Sequence, residues 1–169
     1  RAMFVIEGME ANAFIVADNA GTLYIVEGEA NGLTRTKLKT IDRTRSVVEL
    51  NLDQTPADVL EKTQGNPAAL HATIDAGRLM LAADTLGSAQ EMLDQSIAYA
   101  KERRQFNRPI GSFQAVKHMC AEMAAELEPC RSLIWYAAHS VQAIPDESRL
   151  MICHAKAHLG EIGEFVART

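Results

Sequence analysis

Hydrophobic and polar positions follow two different rhythms along this chain, and the rhythm changes near residue 65. Upstream, short runs rich in β-branched and aromatic residues cover Met3 to Ile6, Ala13 to Ala17, Thr22 to Val26 and Ser46 to Leu50. Turn formers separate them at Glu7-Gly8, Asn19-Ala20-Gly21 and Asn31-Gly32. Such runs fit antiparallel strands, because stiff, branched side chains pack well on a pleated surface and the punctuating residues tolerate turn dihedrals. Four or five strands are too few to close a barrel comfortably. The segment therefore reads as an incomplete sheet domain.

Downstream the period becomes helical. Pro67 suits the first turn of a helix, where its missing N–H has no partner to lose. A helix from about Pro67 to Glu102 holds Leu79, Leu86 and Leu93 at heptad spacing, followed by Ile97, with Ala82, Ala83, Gly87, Ser88 and Ala89 small enough for close approach. The next helix has the strongest seam: Phe113, Val116, Cys120, Met123, Leu127, Cys130, Ile134, Ala137 and Val141 alternate spacings of three and four. That is the pattern of antiparallel bundle packing. Ser112 is the expected N-cap and Pro129 the expected bend. Ile144 to Glu147 turns the chain into a third helix from about Asp146. The expected class is α+β: part of an antiparallel β domain over 1–60, then a truncated up-down bundle of long helices over 61–169. Two and a half long helices leave apolar faces that call for a partner helix or another subunit.

Composition narrows the function classes. A formal net charge of −5 argues against nucleic acid as a partner. No run of about 18 uncharged apolar residues points to a membrane, and the first residues lack the basic and small-residue pattern of a signal peptide. Cys120, Cys130 and Cys153 form no C-x-x-C pair, so they read as reduced, buried structural thiols of a cytoplasmic protein.

Against the acidic background, Lys101, Arg103, Arg104 and Arg108 concentrate positive charge in the loop between the two long helices. Arginine forks, the free N–H groups of the following helix and the flat face of Phe106 suit a phosphate-bearing ligand. A solvated basic loop is the alternative. Two other constellations carry less. His154 and His158 lie four apart on one helical face without a third ligand of suitable spacing, so they read as surface histidines and no metal is assigned. Cys153 and His154 are helix neighbours that point about 100° apart, so no activated thiol is expected.

The segment Arg103, Phe106, Asn107, Ile110, Gln114 resembles the Arg-x-x-Phe-Gly-x-x-(Ile/Leu)-x-x-x-Gln signature of the acyl-CoA dehydrogenase family. The resemblance continues in Gly32-Leu33, Ile41 to Arg45, Val48 to Leu50, Ile74 to Arg78, Ala82 to Gly87, Tyr99-Ala100, Met119 to Met123 and Cys130-Arg131. It implies a flavoprotein that oxidises acyl-CoA thioesters to 2-enoyl thioesters with FAD, within a homo-oligomer (dimer or tetramer) or a hetero-oligomer of homologous subunits. Electron-transfer flavoprotein is the implied acceptor. By the same resemblance Arg103 and Gln114 contact the dinucleotide part of an FAD bound to the neighbouring subunit and Phe106 packs against it. Arg104, Gln105 and Phe113 are secondary candidates. Asn107 replaces a glycine and is expected to keep the left-handed turn.

Met3-Phe4-Val5-Ile6 falls where relatives place an aromatic and a hydroxyl beside the flavin ring. Phe4 and Ile6 occupy these positions, and isoleucine has no proton to donate. An ordinary buried strand is the competing reading. The family reaction needs a carboxylate base at one of two positions. One holds Gly77 here, and the other lies beyond Thr169, so no catalytic residue is assigned. Asp75 and Arg78, three apart on one helical face, form an ion pair that either lines the acyl-CoA site or is purely structural. An assembly subunit that completes a partner's FAD site without turnover of its own is the alternative function.

Overall fold

The computed structural model describes residues 1–169 and divides into two compact units, Arg1–Ala72 and Thr73–Thr169. The first unit contains two three-stranded antiparallel sheets. Strands β1 (Ala2–Ile6), β5 (Val47–Leu52) and β4 (Leu33–Lys37) form one, in that order. Strands β2 (Ala13–Ala17), β3 (Leu23–Glu27) and β6 (Asp58–Val59) form the other. The β2–β3 hairpin pairs Ala13 with Glu27 through Ala17 with Leu23, and β4 pairs with β5 from Leu33–Leu52 to Lys37–Val48. Phe14, Val26, Val48 and Leu50 make the core, so both sheets contribute inward-facing residues to one apolar layer.

Two strands escape the apolar pattern. β6 is only two residues long. In β4, Leu-Thr-Arg-Thr-Lys, the inward positions are Leu33 and Arg35. Arg35 is held there by backbone: its Nη1 donates to Met9 O at 2.5 Å and Gly8 O at 3.3 Å, and its Nη2 to Gly28 O at 2.5 Å. Its guanidinium carbon also lies 5.2 Å from the Phe14 ring centre. Three carbonyls and an aromatic face satisfy a charge that would otherwise be costly to remove from water.

The second unit is built on three long helices. α1 (Ala68–Glu102) begins one residue after Pro67, whose carbonyl accepts from His71 N at 3.0 Å. The capping acceptor is Asn66 Oδ1, 3.0 Å from Ala68 N. α2 (Gln114–Ala143) runs helical through Pro129, which faces solvent. Only Ile144 separates it from α3 (Pro145–Arg168), where Pro145 opens the helix and Asp146 and Glu147 complement its positive N-terminal end. The link is thus shorter than the expected turn through Glu147.

The seam on α2 is real but drifts. Met123, Leu127, Cys130 and Ala137 are buried as expected, whereas Val141 is 49 % exposed and Ser140 takes the core position. A straight helix has 3.6 residues per turn, so a strict heptad count rotates out of the interface over its length. Ser140 satisfies its hydroxyl by donating to Ala137 O at 2.8 Å. Ala82, Ala89 and Leu93 of α1 and Leu159, Ile162 and Val166 of α3 complete the core. A Cβ on Gly163 would come within 2.5 Å of Thr85 Cγ2, so the bare backbone there sets how closely α3 approaches α1. Of the three cysteines only Cys130 is fully buried, and burial raises its thiol above the ordinary range. Cys120 and Cys153 are half-buried, contrary to the expectation for all three.

Candidate functional site

The loop between α1 and α2 is a small hairpin that the pattern of apolar residues did not disclose. β7 (Arg104–Gln105) pairs with β8 (Arg108–Pro109), and a 3₁₀ turn at Ile110–Ser112 leads into α2. Phe106 and Asn107 form its tip with φ of 52° and 63°. Two consecutive left-handed residues give the turn geometry whose twist matches a hairpin. Asn107 keeps the left-handed backbone as expected; Phe106 adopts it as well, against the usual preference of a bulky side chain.

The hairpin is tied to the end of α1. Arg103 N donates to Tyr99 O at 2.8 Å, and Ile110 N donates to Arg103 O at 2.8 Å. A Cβ on Gly111 would meet Ala100 O at 2.9 Å, so the loop lies against the helix there. Ser112 does not cap α2: its hydroxyl donates to Pro109 O at 2.7 Å within the 3₁₀ turn. The cap position falls to Phe113, which has no side-chain acceptor to offer, so the first N–H groups of α2 are unclaimed by any side chain.

The candidate side chains divide by what already holds them. Arg104 Nη2 donates to Asn107 O at 3.1 Å, bracing the turn. Arg108 stacks 4.0 Å from the centre of the Phe113 ring, and Phe106 meets Phe113 edge-on at 6.0 Å between centroids. Phe106 is nevertheless 87 % exposed. Arg103, Gln105 and Gln114 are exposed, and the side chains of Arg103 and Gln114 make no hydrogen bond or ion pair within the chain. One element therefore presents a free guanidinium, a free amide, an exposed aromatic face and an open helix N-terminus. Chemically, that set can bind an anion carrying a planar group.

The other candidates lie elsewhere. Asp75 and Arg78 pair at 2.7 Å between Oδ1 and Nη1, with both side chains largely covered. Gly77, on the same helix, is exposed and has open space where a Cβ would stand. Phe4 and Ile6 lie on β1, with Phe4 at φ 59°. They are 69 % and 56 % exposed, so the alternative of an ordinary buried strand is corrected. Strand β1 is an edge of its sheet and carries a bulge between Ala2 and Val5, which turns these residues outward. His154 and His158 share a cleft with Leu133, Ala157 and Glu161. No group of three or more His, Cys, Asp or Glu side chains is placed to hold a metal, and no helix is long and apolar enough to cross a membrane.

Comparison with known proteins identifies the family. The sequence model of the acyl-CoA dehydrogenase C-terminal domain matches residues 63–169. A probable acyl-CoA dehydrogenase of Bacillus subtilis is 50 % identical over 66 residues, 39 % of this chain and 17 % of the relative. An acyl-CoA dehydrogenase of Mycobacterium tuberculosis is 34 % identical over 148 residues, 88 % of this chain and 20 % of the relative. Among solved structures, a glutaryl-coenzyme A dehydrogenase in complex with glutaryl-CoA superposes with a TM-score of 0.85 at 29 % identity, covering 98 % of this chain and 45 % of that one. The chain thus spans less than half the length of each of these proteins. With the family's C-terminal domain matched over most of the chain and the α+β architecture shared, this protein belongs to the acyl-CoA dehydrogenase family.

Proposed function

We propose that the chain is part of an FAD-dependent enzyme that oxidises acyl-CoA thioesters to 2-enoyl thioesters, with residues 1–60 as part of its middle β domain and 61–169 as the start of its helical domain. The observation that carries the cofactor reading is the unspent donor set at the α1–α2 hairpin: Arg103, Gln114 and the open N-terminus of α2 beside Phe106. These residues fit a dinucleotide. The guanidinium and helix N–H groups suit its phosphates, and the exposed phenyl face suits a planar ring. Flavin, when bound, supplies the acceptor for a hydride from the β-carbon.

In this reading Arg103 and Gln114 bind and orient the dinucleotide, Phe106 excludes water from it, and Arg104 and Arg108 keep the hairpin in the shape that presents them. Because Arg104 and Arg108 already serve Asn107 O and the Phe113 ring, they act by positioning. On β1, Ile6 offers an apolar wall and no proton. Asp75 is engaged by Arg78 and is assigned to the wall of the acyl-CoA site. With Gly77 at one family position of the base, proton abstraction falls to a carboxylate outside residues 1–169. Assembly with a homologous subunit and transfer of electrons to an electron-transfer flavoprotein belong to the same proposal.

The test uses the complete gene product. As purified it is expected to absorb near about 450 nm, the region characteristic of oxidised flavin. Anaerobic acyl-CoA is expected to bleach it, and Arg103→Gln to weaken FAD retention by at least tenfold in an ultrafiltration assay. A colourless protein that gains no absorbance with added FAD would overturn the cofactor reading. Flavin that stays oxidised with acyl-CoA of every chain length would instead establish the non-catalytic assembly role.

A further inference from the structure

A second cluster of basic residues occupies the connection between β4 and β5. Lys37, Lys39, Arg43 and Arg45 line one cleft of ≈ 330 Å³, together with Thr40 and Asp42. None of the four cations forms a salt bridge, although the chain as a whole carries a net charge of −5. The one carboxylate in the cleft is turned onto its own loop. Asp42 Oδ1 accepts from Thr44 N at 2.8 Å and from Thr44 Oγ1 at 2.6 Å. Hydrogen bonds brace the loop: Leu38 N donates to Val47 O at 2.8 Å and Thr40 Oγ1 to Asp42 O at 2.7 Å. Like charges gathered around one cleft repel each other, and a bound anion of several charges relieves that cost.

Size and charge select the occupant. The cleft lies at the low end of small-ligand pockets, which run from about 300 to 1,000 Å³. A monocarboxylate would occupy one arginine fork and leave the other cations uncompensated. A diphosphate offers oxygens for two bidentate forks and charge for two lysines. We propose that the β4–β5 loop is a diphosphate-binding subsite for a nucleotide-type small molecule, with Arg43 and Arg45 as bidentate donors and Lys37 and Lys39 as charge partners. The proposal stands on this unit's own residues and is independent of the flavin and acyl-CoA reading.

Inorganic pyrophosphate and adenosine 5′-diphosphate, titrated separately into the 169-residue chain, test it by calorimetry and amide NMR. Pyrophosphate is expected to bind saturably at the β4–β5 loop, shift the amides of Lys39 to Arg45 and weaken as salt rises. Arg43→Gln with Arg45→Gln is expected to weaken it at least tenfold, and Lys39→Gln about threefold, on the order expected for losing one phosphate contact near a surface. Arg103→Gln with Arg104→Gln should leave it unchanged. All these substitutions fall on exposed residues, and unchanged amide shifts elsewhere would verify the fold. Absence of saturable binding, insensitivity to the Arg43/Arg45 change, or loss on the Arg103/Arg104 change would overturn the proposal. So would capture of a polyglutamate peptide without pyrophosphate. Adenosine 5′-diphosphate binding at least as tightly as pyrophosphate supports a nucleotide ligand, and its exclusion would overturn that assignment.

Discussion

The two basic loops of this chain look alike in composition and differ in how their charge is employed. Between α1 and α2, Arg104 and Arg108 are spent inside the hairpin, on Asn107 O and on the Phe113 ring, and this leaves Arg103 free beside an open helix end. Between β4 and β5 it is the acid that is spent, Asp42 on Thr44, and the cations form no salt bridge around the cleft they line. The first loop therefore presents a few donors in a braced frame, and the second a concentration of charge. Preorganised donors favour one ligand shape, while concentrated charge favours ligand valence.

Four substitutions sharpen this contrast, beginning with the supports. The helical unit rests on its buried core, where Leu127 is 2 % exposed. Leu127→Ala is expected to cost about 2–5 kcal/mol in urea unfolding, because a cavity remains where the side chain stood. A loss below about 1 kcal/mol would mean that the seam does not bear on stability. The β unit relies on a polar support instead. Arg35→Ala leaves the carbonyls of Gly8, Met9 and Gly28 without their donor, at an expected cost of about 1–3 kcal/mol.

At the hairpin tip the expected sign reverses. Asn107→Gly removes the side-chain cost of a left-handed residue at φ 63° and should stabilise the chain by a few tenths of a kcal/mol to about 1 kcal/mol. Destabilisation would show that the Asn107 side chain contributes something its backbone does not. The smallest effect belongs to the β4–β5 loop. Hydrogen bonds from the Thr44 hydroxyl and amide, with Arg45 nearby, hold Asp42 below its ordinary range. A depressed carboxylate contributes stability that is present above its unfolded value and lost as pH falls through its folded value. Thr44→Val should move the NMR titration midpoint of Asp42 back toward the ordinary carboxylate range and reduce that acid-side dependence. An unchanged midpoint would assign the shift to the Thr44 amide and Arg45.

How much of this was legible in advance depended on whether the signal was local. The α2 seam from Met123 to Ala137 could be read directly, since spacing of three and four maps onto one helix face. The same count failed at Val141, where the drift between 3.5 and 3.6 residues per turn put Ser140 inside. β4 was passed over because its inward face includes Arg35, and no apolar alternation marks a strand whose charge is buried. The residues of the α1–α2 loop were legible as a cluster, from Arg103 to Gln114. Their division into bracing and free side chains was not.

The sequence by itself determined the long helices, the apolar seam joining them and the placement of a basic loop before a helix start. These depend on neighbours within a few positions, and periodicity records such neighbours. Only the tertiary structure decided which charges are available. Arg35 finds its carbonyls at residues 26 and 27 positions away, and Gly111 meets Ala100 across the turn. Phe106 takes a left-handed backbone because the hairpin closes around it. Availability of a charge is settled by the acceptors that folding brings to it, and those acceptors lie outside any local window.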